Sequence, residues 1–312
     1  MTLVTLEEIE AAAVRIRDVA VRTPVVQAGP IALKCENLQP MGAFKLRGAY
    51  NFLARLPPEA RAAGVITYSS GNHGQAVALA ASRLGMPAVV VMPETAPQVK
   101  VEGVRRYGGE VIMDGTTSID RRTRAEREAA ARGLTIVPPF DHPWIIAGAG
   151  TCGLELAEQC TDLHAVYVPV GGGGLIAGVA AAIKRRRSTV RVVGVEPAGA
   201  AKMSASRAAG HPVRLERTSS IADGLLPLQP GDLTFAHVEA FVDDVVTVDD
   251  AAIAAAVAWV FREARLVAEP SGATSVAAML VAGAPADRSV AAVVSGGNVS
   301  PADFARYIVG SG

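Results

Sequence analysis

A chain of 312 residues is too long for one small core, so two lobes are the natural expectation. Half of its residues are hydrophobic, and 30 Lys plus Arg balance 30 Asp plus Glu. A large core can therefore be buried, and the charge gives no reason to expect nucleic acid or an acidic surface as partner. Three cysteines without metal-like spacing read as reduced thiols, the N-terminus lacks a basic-then-apolar signal pattern, and the longest apolar run, 251–261, is too short to span a membrane. A cytoplasmic protein without membrane contact is expected.

Thr5 and Glu8 form a capping box ahead of a helix expected to run toward Val19, before Thr23-Pro24 ends it. The stretch 31–35 reads as a short strand. Beyond 42–50, buried-strand and helix patterns alternate: strands at 65–69, 88–92, 110–113 and 135–137, helices at 73–83, 98–107 and 118–132. A second strand-and-helix series takes 153–160, 165–170, 174–186, 191–196, 251–265, 274–282 and 289–294, with 198–245 as an irregular stretch wrapping the larger lobe. Such alternation predicts an α/β fold with a doubly wound parallel sheet in each lobe. Residues 1–54 with 143–312 would form the large domain and 55–142 the small one. Ligands in such folds bind at the carboxyl ends of strands, here where the lobes face each other.

Four segments carry polar groups that packing does not require. Gly171, Gly172, Gly173 and Gly174 follow an apolar strand and open a helix, which suits a phosphate: glycine lets the backbone come close, and first-turn N–H groups point at the anion. No Gly-Lys-Ser/Thr follows, so a nucleoside triphosphate loop is excluded. Gly172, Gly174, Ala177 and Glu196 also make a passable dinucleotide fingerprint, and on this segment alone a nicotinamide or flavin stays open. Lys45 sits between Phe44 and Leu46. Desolvation there would lower its pKa and make a nucleophilic amine, although a snorkelling surface lysine fits the same pattern. Ser69-Ser70-Gly71-Asn72-His73-Gly74 lies between a strand and a helix and offers hydroxyls, an amide and backbone N–H groups to a carboxylate, beyond what one helix cap needs. His73 reads either as a base or as a hydrogen-bonded residue. Val294-Ser295-Gly296-Gly297-Asn298 is another strand ending in a polar glycine turn.

Taken in this order, Phe-Lys-x-Arg-Gly-Ala, Ser-Ser-Gly-Asn-His-Gly, the four glycines and Ser-Gly-Gly-Asn resemble the fold-type II (tryptophan synthase beta-like) pyridoxal phosphate enzymes. The likeness is nearest to the serine/threonine dehydratase and serine racemase family and covers essentially the whole chain. It displaces the dinucleotide reading and implies that pyridoxal 5'-phosphate lies in the cleft between the lobes. The resemblance implies that Lys45 carries the cofactor covalently and then acts as base, and that Phe44 packs on its ring. Asn72 would bond its phenolic oxygen, Gly171 to Gly174 would cradle its phosphate, and Ser295 would face its ring nitrogen. Ser69, Ser70, Asn72 and His73 would surround the substrate carboxylate, with Glu269 near the substrate amine. Ser70 matches the racemase residue that protonates the face opposite the lysine. The implied activity is β-elimination from L-threonine, L-serine or a related 3-hydroxyamino acid to a 2-keto acid and ammonia. Racemisation of an amino acid, or dehydration of 3-hydroxyaspartate or a hydroxyectoine derivative, is the alternative. A homodimer is expected.

The chain also departs from the family pattern. Racemase-like members bind a divalent ion through a glutamate matching Glu196 and an acidic residue six positions on, where this chain has Lys202, so no metal is expected there. Position 43 of Met41-Gly42-Ala43-Phe44-Lys45 lacks the usual hydroxyl, and position 149 of Ala147-Gly148-Ala149-Gly150-Thr151 lacks the usual amide. Nothing after Gly312 provides the regulatory domain of biosynthetic enzymes, and isoleucine feedback is not expected.

Overall fold

Among the described residues, ten short runs rich in Val, Ile and Ala form strands: β1 (Val25–Ala28), β2 (Ile31–Cys35), β3 (Val65–Tyr68), β4 (Ala88–Met92), β5 (Glu110–Met113), β6 (Thr135–Ile136), β7 (Leu163–Pro169), β8 (Arg191–Pro197), β9 (Asp244–Val248) and β10 (Ser289–Val294). The computed structural model describes residues 2–69, 71–96, 98–116, 118–283 and 289–309. The strands make two sheets. The larger has the order β1-β2-β10-β7-β8-β9, and the smaller β5-β4-β3-β6. All pairings are parallel except β1 with β2, an antiparallel edge that the sequence reading did not foresee. A four-residue strand such as β1 has too little periodicity to announce itself.

Parallel strands buried on both faces read as continuous apolar runs. Along β10, Ala291 and Val293 enter one core, while Val290, Ala292 and Val294 enter the core on the opposite face. Helices Pro143–Gln159 and Gly174–Arg186 cover the first face, and helices Asp250–Ala264 and Pro270–Ala282 the second.

Several expected boundaries move. The first helix spans Leu6–Ile16, with the capping box of Thr5 and Glu8 formed as expected. The stretch 198–245 is more regular than expected, containing helices Lys202–Ala209 and Asp232–Phe241. The element expected at 153–160 is the end of the 17-residue helix Pro143–Gln159, whose three glycines disguise it. Those glycines serve close approach. A side chain at Gly150 would meet the Gly178 carbonyl at 3.0 Å, and one at Gly148 would strike the backbone of Arg47 and Gly48. The long helix thereby fixes both the helix after the four glycines and the helix that begins at Lys45.

Among the described residues, no helix is long and apolar enough to cross a membrane.

Candidate active site

The strand order of both sheets reverses where the predicted segments lie. In the larger sheet, β7 and β10 are neighbours, with β8 and β9 on one side and β2 and β1 on the other. In the smaller, β3 lies between β4 and β6. The crevice beyond the carboxyl ends of strands at such a switch point is where open α/β sheets bind ligands. The four glycines follow β7, Ser295 follows β10, and Ser69 to Asn72 follow β3.

Lys45 opens helix Lys45–Leu53, and the segment before it is stitched to the end of β10. Phe44 N–H donates to the Ser295 carbonyl at 3.0 Å, Gly297 N–H donates to the Gly42 carbonyl at 2.9 Å, and Ala43 bridges Gly296. This brings Phe44, Lys45 and Ser295 together from opposite ends of the chain. The half-buried Lys45 amine donates to the Pro139 carbonyl at 2.6 Å and lies 5.2 Å from the Phe44 ring centre. Burial lowers its pKa to about 8, so a substantial fraction is neutral just above physiological pH. The Ser295 hydroxyl is buried and donates to the Ser271 carbonyl in a long contact of 3.4 Å.

The glycine loop has no room for side chains. A Cβ on Gly172 would strike the Phe140 ring, and one on Gly174 would lie 2.9 Å from the Phe140 Cβ. Gly173 has φ +98° and faces Thr234, so a side chain there fails on conformation and on space. Thr234 Oγ donates to the Gly172 carbonyl at 2.7 Å, while Asp141 accepts from the N–H groups of Asp232, Leu233 and Thr234. No side chain caps helix Gly174–Arg186, which leaves its positive end available to an anion. Among the described residues, no side chain caps helix Asn72–Arg83 either.

Around that second helix start the side chains form a chain of contacts. Asn72 donates to Glu269 and accepts from the Asn298 amide at 2.8 Å, and Asn298 also donates to the Met41 carbonyl at 2.9 Å. The Ser69 hydroxyl accepts from Gly71 N–H at 3.1 Å. Glu269 is buried, and burial raises its pKa to about 7 against the opposing charge of Lys100 and the Asn72 hydrogen bond. Lys100 pairs with Asp223 and remains charged: burial would lower its pKa, but the carboxylates of Asp223 and Glu269 outweigh that.

His73 is buried, and its Nε2 lies 3.3 Å from the Val137 carbonyl, which fits the tautomer with the proton on Nε2. Burial and the nearby Lys45 charge push its pKa down to about 3, so the ring is neutral across the physiological range. Its polar edge is spent on Val137, the satisfied hydrogen-bonding role that the sequence left open beside the catalytic one. Ser70 lies outside the described residues.

Lys100, Pro139, Phe140, Thr234 and Asn298 were not singled out from sequence as site residues. Only Asn298 carried a signal, as the last residue of Ser-Gly-Gly-Asn. A lone lysine on an ordinary helix and a phenylalanine between prolines carry none until the fold brings them to the cleft.

The comparisons with known proteins agree with this geometry. The profile described as "Pyridoxal-phosphate dependent enzyme" matches residues 16–296. The chain is 43% identical over 305 residues to an L-threonine ammonia-lyase of Thermotoga maritima, covering 95% of this chain and 76% of that one. It is 47% identical over 249 residues to the biosynthetic L-threonine dehydratase IlvA of Salmonella typhimurium, covering 80% of this chain but 48% of that longer one. The structure of maize serine racemase superposes with a TM-score of 0.93 at 38% identity, covering 99% of this chain and 98% of that one. A likeness that runs through both sheets and every segment lining the crevice places this chain in the pyridoxal-phosphate dependent enzyme family.

Proposed function

We propose that this chain is a threonine/serine ammonia-lyase, converting L-threonine, L-serine or a related 3-hydroxyamino acid to a 2-keto acid and ammonia. The observation that carries this reading is a lysine amine with a pKa of about 8 held beside Phe44 and Ser295, in a crevice that also holds an uncapped glycine-rich helix start. The residues present fit the family's cofactor. The Gly172 and Gly174 backbone lies too near Phe140 for any side chain, and no described side chain caps helix Gly174–Arg186, which leaves its first-turn N–H groups for a phosphate group.

In this reading the four glycines would hold the cofactor's phosphate group, with Phe44 against its ring, Asn72 at its phenolic oxygen and Ser295 at its ring nitrogen. When bound, the cofactor supplies an electron sink for the bond that breaks at Cα. The start of helix Asn72–Arg83, with Ser69 and Ser70, receives the substrate carboxylate. Lys45 Nζ takes the Cα proton. A group whose pKa lies near the working pH suits this task, since it is neutral often enough to accept and basic enough to pull. The Cβ hydroxyl leaves as water, with a proton equivalent to the one Lys45 takes from Cα, and the remaining enamine tautomerises in solution and takes up water to give the keto acid and ammonia. Glu269, uncharged below about pH 7, can neighbour the substrate amine without fixing it as an ion pair. A neutral serine at position 295 cannot fully protonate a ring nitrogen, and the weaker sink favours prompt elimination over long-lived carbanions.

The two sheets support dividing the chain into a large domain of 1–54 with 143–312 and a small one of 55–142. Racemisation is the second reading, favoured by the likeness to maize serine racemase and by Ser70. The test is 2-keto acid release by the purified protein with pyridoxal phosphate, across L- and D-3-hydroxyamino acids. Release from L-threonine or L-serine is expected. A protein that holds the cofactor and releases no keto acid from any of them overturns the lyase reading, and chiral analysis of the same mixtures then tests racemisation.

A further inference from the structure

Lys202 is a lysine with no exposed surface at all, and the proposed chemistry does not use it. Its ammonium donates to three backbone carbonyls, those of Val170 at 3.0 Å, Ala200 at 2.9 Å and Leu225 at 3.0 Å. A fourth oxygen, Glu196 Oε1, lies 3.1 Å away and is equally buried. Three N–H donors match three carbonyls. A neutral amine has only two donors and would aim its lone pair at an oxygen, so the group is held as a cation. Burial pulls its pKa down, and the Glu196 carboxylate opposes that pull. Glu196 is itself locked in place, accepting from the N–H groups of Met203 and Ser204 and from the Ser204 hydroxyl, each at 2.9 Å.

What the ammonium joins matters more than its depth. Val170 is the residue immediately before the four glycines. Leu225 ends the turn Asp223–Leu225, which carries the Asp223 partner of Lys100. The loop and this turn abut: a side chain at Gly171 would meet the Gly224 carbonyl at 3.1 Å. Three carbonyls that converge on one point repel one another unless a cation sits between them. An oxygen cage of three carbonyls and a carboxylate is the ligand set of a hard metal ion. Here a side chain of the protein fills it.

We propose that Lys202 is a built-in cation, filling an oxygen-lined site beneath the glycine loop and holding Val170 and Leu225 where that loop needs them. It is a positioning residue, acting on the cofactor through the backbone it fixes. The consequence is that the native chain needs no metal ion there, whereas removing the side chain creates a metal site. The proposal rests on reading the glycine loop as the phosphate cradle.

The experiment compares the wild type with Lys202→Ala, titrating pyridoxal phosphate by absorbance and melting each protein after EDTA treatment, without additions and then with Mg²⁺ or K⁺. The wild type should respond to neither ion. Lys202→Ala should bind the cofactor about tenfold to a hundredfold more weakly without ions, as expected for lost charge-assisted hydrogen bonds, and should recover affinity and melting temperature with at least one ion. Undiminished cofactor affinity without ions, or a loss that neither ion restores, overturns the proposal. So does a wild type stabilised by Mg²⁺ in a manner abolished by Glu196→Gln. If Lys202→Ala is insoluble in every buffer, the neutral pair Lys202→Met with Glu196→Gln decides: weakened cofactor binding by a folded protein supports the proposal, and wild-type binding overturns it. Should this pair also fail to fold, the wild-type response to Mg²⁺ decides alone. Cofactor titration does not depend on turnover, so a loaded enzyme that releases no keto acid would refute the lyase reading and leave this result standing.

Discussion

Lys45 and Arg47 lie two residues apart at the start of one helix, and the protein treats their charges in opposite ways. Arg47 is almost wholly buried. It makes paired contacts with Glu36 at 2.7 and 2.8 Å and with Glu155 at 2.7 and 2.8 Å, and it also reaches Thr151 and the Val21 carbonyl. Burial alone would lower its pKa, but the two carboxylates outweigh that and hold it well above its ordinary value. Lys34, also fully buried, joins the same group through Glu155 at 2.6 Å. Lys45 meets burial without a carboxylate to offset it, and its pKa falls to about 8. A buried cation with its counter-ions is a fixed structural charge; one left with a single carbonyl is poised to exchange a proton. The helix uses the first to place the second.

The sharpest way to break this comparison is Lys45→Ala. Turnover should fall by at least about a thousandfold, as expected for loss of a positioned base, while the melting temperature of the cofactor-free protein stays close to wild type. Retained turnover would remove Lys45 from the chemistry. Arg47→Met should do the reverse and act chiefly on stability, costing about 3–5 kcal/mol in urea unfolding because Glu36 is left buried without its partner. A loss under about 1 kcal/mol would show that the cluster is not the anchor of the helix.

Glu269 offers a pH test. Its native pKa of about 7 exceeds the ordinary carboxyl value of 4.5, so the folded protein keeps a proton that the unfolded chain has lost between those values. Its contribution to stability is full below about pH 4.5 and is lost as pH rises through about 7. The cofactor-free wild type should therefore lose melting temperature between pH 5 and pH 8, and Glu269→Gln should flatten that slope. An unchanged slope would place the titration elsewhere. The smallest effect belongs to Asn298→Ala, which removes one donor shared by Met41 and Asn72. A rise of about tenfold in KM is expected, on the order of one or two hydrogen bonds, with little change in melting temperature.

Much of the crevice was legible in the chain because its parts are local. A strand followed by glycines and a helix suggests an anion site from backbone rules alone, whereas Lys45 between apolar residues fitted a desolvated amine and a snorkelling surface lysine alike until the fold buried it. What stayed hidden was long-range. Pro139 lies 94 residues from the lysine it receives, and Asn298 lies 226 residues from Asn72. Helix Pro143–Gln159 hid behind its own glycines, since their low helix propensity masks a role in close packing that only the neighbouring helices reveal.

The sequence by itself determined the alternation of strands and helices, the strand-glycine-helix loop and the candidate lysine between apolar neighbours, because each rests on residues within a few positions of one another, and the order of four such local motifs carried the family resemblance. Only the tertiary structure decided which cations are paired, that His73 is neutral, that Glu269 holds its proton near pH 7, and that Lys202 sits inside a cage of four oxygens. Those properties depend on desolvation and on the distance between charges, and both quantities arise only when remote segments are folded against each other.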